Sequence, residues 1–343
     1  MDPVEQIRLT RQLVDIDSTT GREGDVAHVL VGALRGLGYR VTEQPLEGGR
    51  LNVIAALDEP ALVFSTHFDC VPPFFPSREE GGLLFGRGAC DAKGILVAQI
   101  AAAERLRQQG ETRVGLVFVA GEERGSDGAR AANVIANQSK YLINGEPTDN
   151  RLGTATRGVY RVRLTATGRA AHSSLPHLGV SAIEKLLDAL MALRAVEWPD
   201  DPVLGRTYYT VGLINGGVAP NVIPPSAEAE VMFRTVGPHE TLRRMLDDRV
   251  ARFVEVDDVL VVPPVRLTTV DGIDTAVFSF TTDIPFLDRW GAPLLIGPGS
   301  VTVAHTADEH VEIAELHRAV DLYEQLARRL LGGAIEPLGH LAI

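Results

Sequence analysis

Short, uninterrupted apolar runs alternate with longer amphipathic segments along the N-terminal half of the chain. Runs that are apolar at nearly every position are typical of strands buried on both faces, and a spacing of three to four residues is typical of helices. The predicted strands lie at 39–45, 51–57, 61–65, 114–120 and 141–143. The predicted helices lie at 4–15, at 25–37 and from Asp91 to Gly110. This alternation predicts an α/β fold with a mostly parallel sheet covered by helices.

A different pattern begins after residue 153. Residues 159–167 alternate between apolar and polar side chains, as in a strand with one buried face. The segments that follow predict a helix, two strands, a helix and a last strand, at 180–195, 207–214, 227–236, 239–254 and 259–262. The order β-α-β-β-α-β is that of a ferredoxin-like unit. We therefore expect an inserted α+β domain at 154–262, and a main domain formed by 1–153 and 263–343 with a strand at 294–296 and a closing helix at 312–331.

Acidic and imidazole side chains follow directly after several of the apolar runs. In a parallel sheet, ligands bind beyond the carboxyl ends of the strands, so residues in this position can converge. Counting one residue from each close pair, the set offers five metal ligands and two helpers, enough for two zinc-type ions that share a bridging carboxylate. A spare glutamate beside such ions points to hydrolysis of an amide by water. The residues are His67, Asp69, Asp91, Glu122, Glu123, Glu146 and His305.

Each motif has a chemical role and an ordinary alternative. His67 and Asp69 are two apart, so on an extended backbone both project to one side, where the aspartate can orient a metal-bound imidazole. The alternative is a surface or capping pair. Asp91 stands between glycine-containing turns and can bridge two metals through its two oxygens, or can serve only as the N-cap of the helix that follows.

The remaining acids and the second histidine also allow two interpretations. Glu122 and Glu123 point in different directions, so one can bind metal while the other moves a proton. They can equally form a solvated acidic turn. Glu146 can be an ordinary loop acid, and His305 an ordinary core or surface histidine. The combination in one chain favours the metal site.

Composition limits the classes of partner. The net charge of −12 argues against nucleic acid or an anionic membrane as a partner. We see no signal peptide, and no apolar run approaches the ~18–20 residues needed to span a bilayer. The two cysteines, Cys70 and Cys90, do not form a disulfide framework, which favours a reducing, cytoplasmic location. Either thiol could in principle be a soft metal ligand, but oxygen and nitrogen ligands already fill the predicted shells.

Taken in order, these motifs resemble those of the di-zinc deacylases and peptidases that include acetylornithine deacetylase, succinyl-diaminopimelate desuccinylase, aminoacylase and carboxypeptidase G. The resemblance implies that His67 and Glu146 hold one metal, that Glu123 and His305 hold the other, and that Asp91 bridges them. It also implies that Asp69 orients His67 and that Glu122 is the general base and acid. The matching segments are THFDCVP, GRGACDAKG, GEERGSDGA, NGEPT, RAAHSSLPHLGVSAI, NGGVAPNVIPPSAEAEVMFR and GPGSVTVAHTADE.

The resemblance extends to the substrate. It implies that His172 reaches into the active site of a partner subunit, so the protein should be a homodimer joined through the inserted lid and dimerisation domain. Asn221 and Arg234 resemble residues that hold a substrate carboxylate, and Gly299 and Ser300 match a glycine-rich loop that lines the pocket. Phe68 and Ser300 depart from the commonest family pattern.

The expected activity is hydrolysis of the amide of an N-acyl-amino acid, as in acetylornithine deacetylase or the desuccinylase, with two divalent ions, zinc or else cobalt or manganese. Glu rather than Asp at position 146 resembles the deacylases and carboxypeptidases more than the tri- and dipeptide aminopeptidases. The first alternative is a metallopeptidase, either a carboxypeptidase or a dipeptidase, that acts on a short peptide. The second is a catalytically inactive scaffold that dimerises and binds an amino acid.

Overall fold

A computed structural model describes residues 1–333 of the chain. These residues form two compact units, each with its own core. The first contains Met1–Thr154, Leu267–Phe278 and the described residues from Thr282 onward, and the second contains Ala155–Arg266 with Ser279–Thr281. Among the described residues, no helix is both long enough and apolar enough to cross a membrane.

The first unit is built on a six-stranded mixed sheet. Four neighbouring strands run parallel to one another, and an antiparallel hairpin forms the remaining edge of the sheet. In spatial order the strands are Arg40–Pro45, Leu51–Ala56, Val114–Val119, Leu62–His67, Tyr141–Asn144 and Ala292–Leu295. The predicted α/β class is confirmed, and the predicted sheet strands fall within a few residues of these bounds.

Side chains on both faces of this sheet are buried, which explains the uninterrupted apolar runs. Along Leu62–His67, Leu62 and Phe64 belong to the larger core, whereas Val63 belongs to a smaller core on the opposite face. Helices contribute to both cores. The helices of this unit are Pro3–Val14, Gly24–Gly36, Gly94–Gln108, Asp127–Ala132 and Ile313–Leu331.

Several short elements were not predicted from the sequence. They lack a long periodic pattern because they contain two to five residues, many of them polar. Three of them, Arg78–Glu80, Leu83–Phe85 and His310–Glu312, form a small antiparallel sheet in the first unit. The other strands are Leu152–Thr156, Asp200–Asp201, Gly205–Arg206, Val265–Arg266 and Thr275–Phe278. Short 3₁₀ turns occur at Glu47–Gly49, Glu122–Arg124, Pro176–Leu178, Ile284–Phe286 and Asp288–Trp290.

The second unit is a four-stranded antiparallel sheet with two helices, Ala182–Arg194 and His239–Val250, packed on its apolar face. In chain order the element sequence is β-α-β-β-α-β, and in space the second strand lies next to the third, then the first, then the fourth, which is the ferredoxin-like arrangement. In chain order the strands are Gly158–Thr167, Tyr208–Gly216, Ser226–Thr235 and Glu255–Val262.

Candidate metal centre

One group of possible ligands forms where two parallel strands end. His67 is the last residue of the strand Leu62–His67, and Glu146 follows the neighbouring strand Tyr141–Asn144 by two residues. Nε2 of His67 lies 3.0 Å from Oδ1 of Asp91. One ligand atom from each of His67, Asp91 and Glu146 lies within 4.8 Å of the other two, and all three side chains are buried. One imidazole and two carboxylates at this spacing suit a divalent ion.

A second group shares Asp91 with the first. Nε2 of His305 lies 3.1 Å from Oδ2 of Asp91 and 2.9 Å from Oε1 of Glu123. Ligand atoms of Asp91, Glu123 and His305 again lie within 4.8 Å of one another. The two oxygens of Asp91 therefore face two different histidines, which is the arrangement that a bridging carboxylate requires.

The backbone at Asp91 differs from the one expected for an N-cap. The helix begins at Gly94, three residues later, and a π-type turn over Ala89–Lys93 comes before it. Asp91 is extended, with φ −127° and ψ 88°, and its carboxylate faces the histidines. The N-cap alternative for this residue is therefore wrong.

Glu122 and Glu123 follow a turn that requires glycine. Gly121 has φ +81°, and a Cβ atom at this position would meet Oδ1 of Asp127 at 2.0 Å. The turn directs the two acids differently: Glu123 bonds to His305, whereas the carboxylate of Glu122 has no hydrogen-bond partner within residues 1–333. Glu122 is thus free to accept a proton.

The carboxylate of Asp69 contacts both glutamates through their backbones. It accepts hydrogen bonds from the N–H groups of Glu122, at 3.0 Å, and Glu123, at 3.2 Å, and from the hydroxyl of Thr20 at 2.8 Å. Nδ1 of His67 lies 3.1 Å from the backbone oxygen of Asp69 and 3.4 Å from its Oδ1. Asp69 therefore contacts His67 mainly through its main chain, and its side chain holds the turn that carries the two glutamates.

Crowding makes the three glutamates weaker acids. Burial raises the pKa of Glu122 and of Glu146 well above the ordinary range, and the neighbouring carboxylates add to the effect. Burial also raises the pKa of Glu123, although its hydrogen bond with His305 opposes the shift. Three acids are therefore held close together in a site where the described residues supply too little positive charge to balance them.

Asp91 behaves in the opposite way. Although burial opposes the shift, hydrogen bonds with His305 and His67 lower its pKa. Hydrogen bonds to Asp91 and Glu123 raise the pKa of His305 to about 10. The two imidazoles thus supply the positive charge that balances the shared carboxylate of Asp91.

The donor set fits divalent metal ions. Oε1 of Glu146 is buried without a hydrogen-bond partner, which is costly unless a cation completes its environment. The thiols do not join the set: Cys70 and Cys90 are buried and form no disulfide, burial raises the pKa of both, and neither belongs to a ligand group within the described residues.

The glycine-rich loop with Gly299 and Ser300 lies beside the segment that follows Glu146. The amide of Asp149 donates to the Gly299 carbonyl at 2.8 Å, and Thr148 pairs with Ser300. Gly299 has φ +82°, and a Cβ atom there would meet Sγ of Cys90 at 2.5 Å. Gly299 is buried and Ser300 is partly exposed.

The other predicted substrate residues belong to the second unit. His172 and Asn221 are brought together there, because the amide of Ser173 donates to the Asn221 carbonyl at 3.0 Å and His172 pairs with Val222. His172 is exposed, and its Nδ1 lies 2.7 Å from the hydroxyl of Ser174. The guanidinium of Arg234 is partly buried and has no partner among the described residues, and burial lowers its pKa.

Two buried acids near the centre were missed by the sequence analysis. Asp283 is 1% exposed, burial raises its pKa to about 7, and its charge raises the pKa of Glu122 and Glu146. Glu309 is fully buried and contacts the amide of Asp91. Neither residue follows a predicted apolar strand, so the rule that selected the other acids does not apply to them.

The sequence matches the model of peptidase family M20/M25/M40 over residues 63–329, and the chain belongs to this family of metallopeptidases. A peptidase M20 domain-containing protein of Schizosaccharomyces pombe is 36% identical, with 93% of this chain and 83% of the relative aligned. A probable carboxypeptidase of Aspergillus clavatus is 34% identical over 94% of this chain and 81% of the relative. The predicted family is therefore confirmed.

Solved structures share the fold. The aminopeptidase PepT of Bacillus cereus superposes with a TM-score of 0.80 at 19% identity, covering 96% of this chain and 99% of that one. The YXEP protein of Bacillus subtilis, described as a dinuclear metal-binding peptidase of the M20 family, gives 0.72 at 18% identity, covering 96% and 98%.

The two ligand groups predict separate losses of metal. We expect wild-type protein dialysed against Zn²⁺ to hold about two ions per chain, and His67→Ala and His305→Ala to hold about one each, because each variant loses the imidazole of one group. Metal content can be measured by mass spectrometry of the dialysed protein. His28→Ala, which removes an exposed imidazole from the helix Gly24–Gly36, is the matched control. Two ions retained in both ligand variants would contradict the assignment.

Proposed function

We propose that the protein is a di-metal hydrolase of carboxypeptidase type, which cleaves the amide that precedes a terminal amino acid with a free carboxylate. The observation that carries this proposal is the pair of ligand groups that share Asp91, with the unpaired carboxylate of Glu122 beside them. The relative of Aspergillus clavatus named a probable carboxypeptidase supports the substrate class. The same bond occurs in N-acyl-amino acids, so the deacylase activity expected first from the sequence uses the same chemistry and is the second candidate.

The roles of the residues follow from their contacts. His67 and Glu146 would hold one ion, Glu123 and His305 the other, and Asp91 both. Two divalent ions held there would supply Lewis acidity that polarises the amide carbonyl and makes water a better nucleophile. Zinc suits the imidazole and carboxylate donors, and cobalt and manganese accept the same set.

Glu122 would move the proton. Its pKa is raised by burial, so its affinity for a proton exceeds that of an ordinary glutamate. It would take a proton from the attacking water and pass it to the amide nitrogen as the bond breaks. Asp69 would keep Glu122 and Glu123 in place by accepting hydrogen bonds from both backbones.

The substrate carboxylate needs a cation. Arg234 is suited to this role because a partly buried guanidinium without a partner is costly, and a carboxylate is its best complement. Asn221 would assist Arg234, and Gly299 and Ser300 would line the pocket. These assignments rest on the resemblance of the motifs. A cytoplasmic location stays a prediction from the sequence.

An inactive scaffold is the least favoured alternative. A protein without metal has no physical reason to bring four such acids together (Glu122, Glu123, Glu146 and Asp283), because each buried acid without enough compensating charge costs free energy. Purified protein that neither binds divalent ions nor hydrolyses any amide would favour the scaffold.

The two adjacent glutamates predict opposite defects. Glu122→Gln should keep both ions, but its kcat should fall by a factor on the order of 10²–10⁴, because the glutamine side chain cannot accept a proton. Glu123→Gln should lose affinity for one ion, because a metal ligand is removed. Parallel measurements of metal content and kcat test both. If Glu123→Gln kept its metal while Glu122→Gln lost it, the two roles would be exchanged.

The substrate class predicts dependence on a terminal carboxylate. We expect wild type to hydrolyse the peptide bond of an N-blocked dipeptide. The same dipeptide with its terminal carboxylate converted to an amide should be hydrolysed at least about 10²-fold less efficiently, because Arg234 loses its ionic partner. Assays of N-acetylornithine and N-succinyl-diaminopimelate in parallel compare the deacylase activity with the hydrolysis of the dipeptide. Hydrolysis of the acyl-amino acids alone would make the protein a deacylase.

Arg234→Met tests the proposed recognition directly. This variant should lower kcat/KM for the dipeptide with a free carboxylate toward the value for the amidated dipeptide. The value for the amidated dipeptide should change little. Arg163→Met is the matched control, since Arg163 is an exposed cation on the same sheet and pairs with Glu230. Equal losses on both substrates would remove Arg234 from carboxylate recognition.

We also propose a homodimer formed through the second unit. The strand Tyr208–Gly216 lies at the edge of the sheet and is exposed along most of its length, including Leu213 at 59% and Ile214 at 55%. On the helix Ala182–Arg194, Leu187 and Met191 are also exposed. An apolar edge strand is a liability for a monomer and is commonly covered by a partner.

Mixed subunits test whether His172 of the partner subunit completes the site. Homodimers of His172→Ala and of Glu122→Gln should both be inactive. In a heterodimer one site would have both defects and the other neither, so random pairing should restore activity to about a quarter of wild type per total chain. Subunit exchange can be verified with distinguishable tags. Exchange without recovered activity would mean that His172 does not act on the partner.

A further inference from the structure

The carboxylate of Glu309 is fully buried and is surrounded by donors. Its Oε1 atom accepts hydrogen bonds from three backbone amides, those of Gly88 at 2.9 Å, Cys90 at 3.2 Å and Asp91 at 3.1 Å. Its Oε2 atom pairs with Nη1 of Arg87, which is 1% exposed. One side chain thus holds most of the turn that leads to the shared ligand.

This turn needs an external anchor. Regular helical hydrogen bonds do not fix Asp91, because the residue is extended and Ala92 is also outside the helical region. The direction of the Asp91 carboxylate is nevertheless critical, since Oδ1 must face His67 while Oδ2 faces His305. An amide donor fixed by a carboxylate forms a strong, directional hydrogen bond, which is suited to holding such a backbone.

The small three-stranded sheet explains how Glu309 reaches this turn. His310 pairs with Phe85, and the amide of Gly86 donates to the Glu309 carbonyl at 3.1 Å. Glu309 is thereby placed against the chain just before Arg87. It also follows the ligand His305 by four residues, so the same segment carries a ligand and the anchor of the shared carboxylate.

We propose that Glu309 is a positioning residue that fixes the backbone of Asp91 so that its two oxygens serve two metal ions at once. The inference rests on the proposed two-metal centre. Residues that orient metal ligands without touching the metal commonly contribute about 10–100-fold to metal affinity. Loss of the anchor should therefore weaken metal binding and loosen the bridge between the ions.

The test uses the full chain, stripped of metal and titrated with Mn²⁺. Two Mn²⁺ ions joined by one carboxylate show magnetic exchange coupling in electron paramagnetic resonance, which a general loss of stability does not change. We expect Glu309→Ala to bind Mn²⁺ about 10–100-fold more weakly and to lose the coupling. If this variant does not fold, Glu309→Gln replaces it, and a fall of about tenfold or more is expected because a neutral oxygen accepts the three amides more weakly.

Two controls separate positioning from stability. Glu104→Ala removes another buried glutamate, which pairs with Arg107 on the helix Gly94–Gln108, and should lower thermal stability while affinity and coupling stay at wild-type values. Arg87→Met breaks the ion pair but leaves the three amide contacts of Glu309, so it should also keep the coupling.

The outcomes distinguish this inference from the proposed function. Wild type that fails to bind two coupled ions would overturn the metal centre itself. Wild type with two coupled ions, together with a folded Glu309 variant of unchanged affinity and coupling, would overturn only the role of Glu309. Loss of coupling in Arg87→Met to the same extent as in Glu309→Ala would assign the effect to the ion pair and also overturn it.

Discussion

The contact of one carboxylate with two histidines is the interaction on which the rest of the site depends. Asp91 can face His67 and His305 together only if its backbone leaves the helical path before Gly94. The surrounding acids raise the cost of this arrangement, because burial and mutual repulsion raise the pKa of Glu122, Glu123 and Glu146. A site of this kind is stable when divalent cations balance the charge, which links metal binding to the local structure of the turn.

The sequence predicted the parts of the molecule that have a physical period. Strands buried on both faces must be apolar throughout, so Leu62–His67 and Val114–Val119 could be located to within about two residues. Parallel strands end at the same edge, and this position supported His67, Glu122, Glu123 and Glu146 independently of any motif. The structure places these residues, with Asp91 and His305, in one cluster.

The features that escaped prediction depend on contacts between distant, short segments. The sequence did not distinguish an N-cap at Asp91 from an aspartate on an irregular turn, because the two look identical in sequence. The contact of Asp69 with two amides, and that of Glu309 with three, could not be derived because backbone donors leave no trace in a sequence. The three-residue strands near Arg87 are too short to show a period.

Burial differs between the two ligand groups, and this difference has a chemical consequence. His67 and Glu146 are at most 5% exposed, whereas the side chain of His305 is 50% exposed. Within the first unit, solvent therefore reaches the two groups mainly at His305, since the side chains of Asp91 and Glu123 are only 10% and 8% exposed. Glu122 is the neighbour of Glu123 in sequence, but after burial the charges of His67 and Glu146, both in the buried group, affect its pKa more than the charge of Glu123 does. In the proposed centre, His67 and Glu146 would therefore hold Asp91 from the buried side, while His305 would mark the side that water can reach.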